Sequence, residues 1–281
     1  MGWRLESKMV RGAKGSDPHT GAISFPIYQT ATFKHPGLGQ STGYDYTRSG
    51  NPTREELEST LANLEGGTSA LAFASGMAAI ATVLELFKPG DHLLVSDDLY
   101  GGTYRLFEEV ARNHGLQFTY LDTCNGQNLS EAVQDNTRAI FIETPSNPMM
   151  KVTDIAGVVR IARTHKLLSI VDNTFLTPYL QRPLELGADI VIHSATKYLG
   201  GHNDTLAGFI VVKDQALEER LRFFQNATGA ALAPLDSWLI LRGIKTLAVR
   251  MARQEENALK VAAWLNQHPL VQKVYYVGLP D

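Results

Sequence analysis

The sequence predicts an α/β fold built on a mainly parallel sheet. Short continuous apolar runs alternate with amphipathic stretches along the chain, which is typical of strands that helices cover on both faces. The chain has 281 residues, of which 44% are hydrophobic and 20% charged. This length allows one large or two modest domains with a sizeable buried core.

The first 50 residues are predicted to form an N-terminal arm. They are rich in Gly, Pro, Ser and Thr and show little periodicity. Such a long irregular segment is either disordered or functional, for example an arm that packs on a partner. A helix is predicted next, because Asn51 and Pro52 are typical of a helix start and Gly66-Gly67 of its end.

Strands and helices then alternate. Seven apolar runs predict strands, at 69–74, 92–96, 116–121, 139–143, 167–172, 189–194 and 207–212. The stretches between them predict helices, at 76–87, 101–115, 128–134, 153–166 and 214–227. Thr153 is the predicted cap of the fourth of these helices.

The pattern changes near Ser237, where the chain becomes helical until the apolar run VQKVYYVG at 271–278. This change predicts a long helix that leaves one domain and a strand that starts another. We therefore predict three regions: the arm at 1–50, a large ligand-binding domain at 51–243, and a linking helix with the beginning of an incomplete C-terminal domain at 244–281.

Composition excludes several classes of function. The 26 Lys and Arg against 29 Asp and Glu give a net charge of −3, which does not favour nucleic-acid or membrane-surface binding. The single cysteine, Cys124, excludes an internal disulfide and a CxxC site. The eight histidines lack metal-ligand spacing, so no metal site is predicted. No segment resembles a membrane span or a signal peptide, which predicts a cytoplasmic protein.

Polar residues follow the apolar runs, at the strand ends where open parallel sheets bind ligands. Ser75-Gly76-Met77 opens a helix and can bind an anion such as phosphate, or can be an ordinary cap. Tyr100 beside two glycines can stack on a flat ligand or belong to a tight turn. Asn147 lies between two prolines in the next loop.

Two charged residues complete this set. Asp172 ends an apolar run, where a cationic ligand nitrogen or the capping of Thr174 would satisfy its carboxylate. Lys197 follows another apolar run and would be a nucleophile if desolvated, or a surface lysine if it reaches solvent. Ser194 and Thr196 are hydroxyls that flank it. Together these groups match the needs of pyridoxal 5'-phosphate (PLP).

The segments that carry these residues resemble the Cys/Met-metabolism (transsulfuration) PLP-dependent enzymes. They are YDYTRSGNPT at 44–53, SGM at 75–77, DLYGGT at 98–103, ETPSNP at 143–148, VDNTF at 171–175 and SATKYLGGH at 194–202. The resemblance extends from about Thr20 to Asp281 and implies the aspartate-aminotransferase-like fold (fold type I) with a seven-stranded sheet.

The resemblance also implies a role for each residue. Lys197 would bind PLP covalently and move protons, Asp172 would hold the pyridinium nitrogen, and Tyr100 would stack on the ring and assist proton transfer. Asn147 would lie near the phenolic oxygen. Phosphate would be bound by Ser75, Gly76, Met77, Ser194 and Thr196 of one subunit and by Tyr46 and Arg48 of its neighbour. A homo-oligomer, with a dimer of dimers as its form, is therefore expected.

Two departures from the family pattern matter. Gly102 occupies the position where methionine γ-lyases carry cysteine, which disfavours that activity. No residue can be assigned as the arginine that binds the substrate carboxylate, which family members carry in a C-terminal domain. We therefore expect the chain to be a fragment or an incompletely described protein.

The expected activity is that of cystathionine γ-synthase, in which cysteine replaces the γ-substituent of an O-acylhomoserine. The alternatives are a cystathionine γ-lyase or homocysteine desulfhydrase, and a catalytically idle relative kept for binding or assembly. A nucleotide site is disfavoured, because GLGQSTG at 37–43 has the wrong spacing for GxGxxG and follows no strand.

Overall fold

A seven-stranded sheet lies at the centre of the fold in the computed structural model, which describes residues 2–279. The last two residues of the predicted third region, 280 and 281, lie outside these described residues. The strand order is β1-β7-β6-β5-β4-β2-β3. The strands are β1 Ser69–Phe73, β2 His92–Ser96, β3 Gln117–Leu121, β4 Thr137–Glu143, β5 Leu168–Asp172, β6 Ile190–Ser194 and β7 Gly208–Val212.

Strand β7 is antiparallel to both of its neighbours, β1 and β6, and the other neighbouring strands pair in parallel. The prediction of a mainly parallel, seven-stranded sheet is therefore confirmed. Six strands end at the same edge, which brings the residues after β1, β2, β4, β5 and β6 to one side of the sheet.

Helices cover both faces of this sheet. They are α1 Leu5–Arg11, α2 Pro52–Glu65, α3 Gly76–Leu84, α4 Gly101–Arg105, α5 Gly126–Glu131, α6 Ile155–His165, α7 Thr177–Leu180, α8 Gln215–Thr228, α9 Pro234–Ile244 and α10 Leu247–Asn266. Helix α4 continues through a π-helical turn at Leu106–Ala111 and a 3-10 turn at Arg112–His114. No helix among residues 2–279 is long and apolar enough to cross a membrane.

Strand β1 illustrates why the strands are apolar throughout. Leu71 and Phe73 pack on one face of the sheet with residues of α3 and α8. Ala70 and Ala72, which alternate with them, pack on the other face with residues of α2 and α9. Because both faces are buried, the run lacks the polar alternation of a half-exposed strand.

Three local features differ from prediction. Residues 271–278 do not form a strand, because this segment pairs with no other strand among residues 2–279. Helix α6 has Asp154 as its N-cap rather than Thr153, whose hydroxyl instead hydrogen-bonds that of Thr123 at 2.7 Å. The arm contains α1, which its low periodicity did not predict.

Candidate active site

A cavity of about 160 Å³ lies at the carboxyl ends of the parallel strands. Its walls include every predicted site residue except Tyr46 and Arg48. The lining residues are Ser75, Gly76, Met77, Ile80, Tyr100, Glu143, Pro145, Asn147, Asp172, Thr174, Phe175, Ile192, Ser194, Thr196, Lys197 and Leu206. Glu143 and Thr174 are polar members of this set to which the sequence assigned no role in the site.

The N-terminus of α3 forms one wall of the cavity. The hydroxyl of Ser75 caps the helix by accepting a hydrogen bond from the N–H of Ala78 at 3.1 Å. The turn lies close to the neighbouring strands: a Cβ on Gly76 would be 2.9 Å from the Cβ of Ser194, and one on Gly208 would be 2.1 Å from the carbonyl oxygen of Ser75. The first N–H groups of such a helix favour an anion.

Asp172 lies at the end of β5 and is only 8% exposed. One of its carboxylate oxygens accepts hydrogen bonds from the N–H of Thr174 at 3.0 Å and from the Thr174 hydroxyl at 2.6 Å. Burial raises the pKa of Asp172, while the Thr174 hydrogen bonds and the positive charge of His193 oppose that rise. A carboxylate in this position is stabilised by a cationic ligand atom.

Glu143 ends β4 and pairs in register with Asp172 on β5. Its Oε2 accepts a hydrogen bond from the backbone N–H of Tyr100 at 2.8 Å. Burial and the negative charge of Asp172 raise the pKa of Glu143. The ETPSNP segment contains Glu143, but only the strand register shows that it lies beside Asp172.

Lys197 lies in the turn after β6, and its side chain is exposed in the single chain. The desolvated lysine that the sequence suggested is therefore wrong for this chain alone, because the side chain extends from the turn at the cavity wall instead of packing beneath it. Thr196 is fixed by hydrogen bonds with Ala207, which it donates at 3.3 Å and accepts at 3.2 Å.

The aromatic ring and the amide come from two loops that contact each other. Tyr100 is 44% exposed, so a face of its ring is open to a ligand. The loop of Asn147 is held by Asp98, which accepts hydrogen bonds from the Ser146 hydroxyl and from the N–H of Met149. This arrangement places both side chains on the same cavity.

Tyr46 and Arg48 line a separate cavity in the arm, together with Thr30 and Pro234. Nη1 of Arg48 donates to the carbonyl oxygen of Asn226 at 2.9 Å, and its guanidinium lies 5.5 Å from the centre of the Tyr46 ring. A single chain therefore does not bring this pair together with Lys197.

The donor set around the main cavity fits PLP. A capped helix N-terminus and two hydroxyl residues suit a phosphate, and the buried Asp172 suits a protonated ring nitrogen. The open Tyr100 ring offers a stacking surface, and Lys197 offers an amine for a carbonyl carbon.

Two curated proteins are similar to the chain over almost all of its length. It is 54% identical over 278 residues to a cystathionine γ-synthase/O-acetylhomoserine (thiol)-lyase of Bacillus subtilis, covering 99% of this chain and 74% of that protein. It is 52% identical over 275 residues to a cystathionine γ-lyase of the same organism, covering 98% of this chain and 73% of that protein.

Solved structures agree with this likeness. A cystathionine γ-lyase from Lactobacillus plantarum, complexed with L-serine, superimposes with a TM-score of 0.97 at 48% identity, over 99% of this chain and 73% of that one. A cystathionine γ-synthase from Xanthomonas oryzae, in complex with aminoacrylate and cysteine, gives 0.96 at 40% identity, over 99% and 72%.

A family model described as Cys/Met metabolism PLP-dependent enzyme matches residues 6–281. The predicted fold type I and the predicted cofactor are confirmed by this match and by the solved structures. The chain belongs to the Cys/Met-metabolism family of PLP-dependent enzymes.

Proposed function

We propose that the chain is a transsulfuration enzyme that replaces the γ-substituent of an O-acylhomoserine by cysteine, as a cystathionine γ-synthase does. The observation that carries the proposal is that one cavity joins Lys197, Asp172 and Tyr100 in a chain 54% identical to a protein of that name. An amino acid is the substrate class for the enzymes of this family.

The site residues have distinct tasks in this proposal. Bound PLP supplies an electron sink for carbanion chemistry at the substrate. Lys197 binds the cofactor and moves protons with its amine, and Asp172 keeps the ring nitrogen protonated. Tyr100 stacks on the ring and assists proton transfer.

The remaining residues hold the cofactor in place. Ser75, Gly76, Met77, Ser194 and Thr196 bind the phosphate, and Asn147 hydrogen-bonds the phenolic oxygen. Phosphate oxygens suit the fixed N–H groups and hydroxyls of these residues. The short approach of Gly76 to Ser194 supports this assignment, since it brings the helix N-terminus next to the turn of Lys197.

The arm completes the site in a homo-oligomer, a dimer of dimers, where Tyr46 and Arg48 reach the phosphate of the neighbouring subunit. Their position in a cavity apart from Lys197 supports this assignment. The fork of an arginine can bind two phosphate oxygens at once.

A second candidate activity is γ-elimination from cystathionine. It is favoured by the relatives named cystathionine γ-lyase, one of them a solved structure. Both activities use the same site residues, so the difference lies in whether a thiol or water intercepts the reacting substrate.

Product analysis tests the proposal. The PLP-loaded protein is given O-acetylhomoserine with cysteine in one reaction and cystathionine in another. Formation of cystathionine in the first supports a synthase, whereas 2-oxobutanoate from cystathionine alone shows a lyase. The Lys197→Ala variant is the control, and turnover equal to wild type in that variant would overturn the proposed site.

A further inference from the structure

Glu143 is a second buried carboxyl group in the cavity, and the roles proposed above do not use it. It is 8% exposed, as Asp172 is, and the two residues are partners in the register of β4 and β5. In a parallel pair, side chains in register extend to the same face of the sheet. The cavity therefore contains two carboxyl groups side by side.

Two negative charges in this position would oppose each other. Adjacent buried carboxyl groups do not both ionise readily, because each disfavours the charge of the other. Three hydrogen-bond contributions distinguish the pair: Asp172 receives two from Thr174, one of them from a hydroxyl at 2.6 Å. These hydrogen bonds stabilise the charged form of Asp172 in preference to that of Glu143.

Glu143 makes contacts of a different kind. Its Oε2 accepts the backbone N–H of Tyr100, and the backbone N–H of Asn147 also hydrogen-bonds this carboxyl group. One side chain thus links the end of β4 to the two loops that carry the aromatic ring and the amide. A carbonyl oxygen is sufficient for accepting these N–H groups, so the task needs no negative charge.

We propose that Glu143 is a positioning residue that fixes the loop of Tyr100 as a neutral carboxylic acid and so leaves Asp172 as the charged carboxylate of the cavity. The elevated pKa of Glu143, caused by burial and by the charges of Asp172 and Asp98, agrees with this state. The inference deepens the proposed function, since it rests on PLP binding in this cavity.

Two variants test the proposal. Glu143→Gln keeps a neutral side chain of the same size with a carbonyl acceptor, and Glu143→Ala removes the acceptor. Glu109→Gln, on an exposed helix position, is the matched control. We expect Glu143→Gln to bind PLP as wild type does, and Glu143→Ala to bind about tenfold more weakly, the equivalent of one lost hydrogen bond.

Two further measurements do not depend on the cofactor. Infrared difference spectra should show the carbonyl stretch of a protonated carboxylic acid that disappears in Glu143→Gln and persists in Glu109→Gln. Amide hydrogen exchange at Tyr100 and Asn147 should accelerate in Glu143→Ala and remain slow in Glu143→Gln.

The outcomes separate the two proposals. If Glu143→Gln loses as much PLP affinity as Glu143→Ala, or if its infrared spectrum lacks the difference band, Glu143 is ionised and the inference is wrong. If wild type itself binds no PLP, the proposed function fails, and the infrared and exchange measurements on the protein without PLP still decide the inference.

Discussion

Thr174 donates both its backbone N–H and its hydroxyl to the same carboxylate oxygen of Asp172, at 3.0 and 2.6 Å. The hydroxyl oxygen also accepts the N–H of Ser194 at 2.8 Å, which ties the end of β5 to the end of β6. Thr174 therefore connects the carboxylate proposed for the ring nitrogen to the residues proposed for the phosphate.

Replacing Thr174 by Val should weaken PLP binding. The change removes a hydrogen bond to a charged group, an interaction of about 1.5–3 kcal/mol, so we expect the PLP dissociation constant to rise roughly tenfold or more. Fluorescence titration with PLP measures this change. Thr174→Ser keeps the hydroxyl and should bind close to wild type; equal affinity of the Val and wild-type proteins would contradict the role of the hydroxyl.

A methyl group at Gly208 should disturb the phosphate-binding turn. A Cβ there would lie 2.1 Å from the carbonyl oxygen of Ser75, a backbone atom that cannot rotate away. We expect Gly208→Ala to destabilise the protein by about 1–3 kcal/mol or more, because overpacking displaces the start of α3.

Urea unfolding measures that loss of stability. Gly126→Ala is the matched control, since its Cβ would meet only the Cδ1 of Ile161 at 3.6 Å, an ordinary contact. If the two variants unfold at the same urea concentration, β7 and the turn are not packed as tightly as the structure shows.

The strand ends could be predicted from sequence because each strand is buried on both faces and reads as one apolar run. Asp172 and Ser194 end their strands in this way. The neighbour relations could not be predicted, since they depend on register. Glu143 lies beside Asp172, and Gly208 lies against Ser75, only because β4 pairs with β5 and β7 runs antiparallel between β1 and β6.

The segment at 271–278 shows the opposite limit. Its apolar alternation is typical of a strand, but a strand also requires a neighbour that supplies ladder hydrogen bonds. No such neighbour pairs with it among residues 2–279, and Tyr275 is 61% exposed. An isolated pattern therefore predicts strand propensity without predicting a strand.

The buried pair of Glu65 and His193 should be a large contributor to stability when only one partner is removed. Both side chains are fully buried, with Oε1 of Glu65 2.6 Å from Nε2 of His193, and Glu65 also accepts from Asn173. His193→Leu leaves an uncompensated buried carboxyl group, so we expect a loss of about 3–5 kcal/mol.

A double-mutant cycle in urea checks this expectation. Glu65→Leu combined with His193→Leu should be less destabilised than the sum of the single variants, because the double variant leaves neither buried group unpaired. Additive losses would show that the two side chains do not interact energetically.

Arg48 and Lys197 should complement each other between subunits. In the proposed oligomer, Arg48 of one chain serves the site that contains Lys197 of the other. Arg48→Ala and Lys197→Ala should each lose most PLP-dependent turnover, and a mixture refolded together should regain part of it, about a quarter of wild type for random dimers.

The measurement is turnover as a function of the mixing ratio. Mixing Lys197→Ala with Asp172→Ala is the control, because both changes then lie in the same site and no intact site can form. Absence of recovery in the first mixture, in dimers that have demonstrably exchanged subunits, would show that Arg48 serves its own chain.

Acidification should stabilise the PLP-free protein through Glu143. Burial raises the pKa of this group to about 8 from an ordinary value of 4.5. A raised carboxyl pKa means that the folded state binds more protons than the unfolded state between these values, so stability falls as pH rises from about 4.5 to about 8. One such group contributes at most about 1.4 kcal/mol per pH unit.

Thermal unfolding at several pH values within this window measures the effect. Glu143→Gln has no group to titrate at this position, so its stability should depend less steeply on pH than that of wild type, while Glu109→Gln should follow wild type. Asp172 titrates in the same direction, which leaves a residual slope in Glu143→Gln. Identical slopes in wild type and Glu143→Gln would show that Glu143 carries the same charge in the folded and unfolded states, contrary to the burial argument.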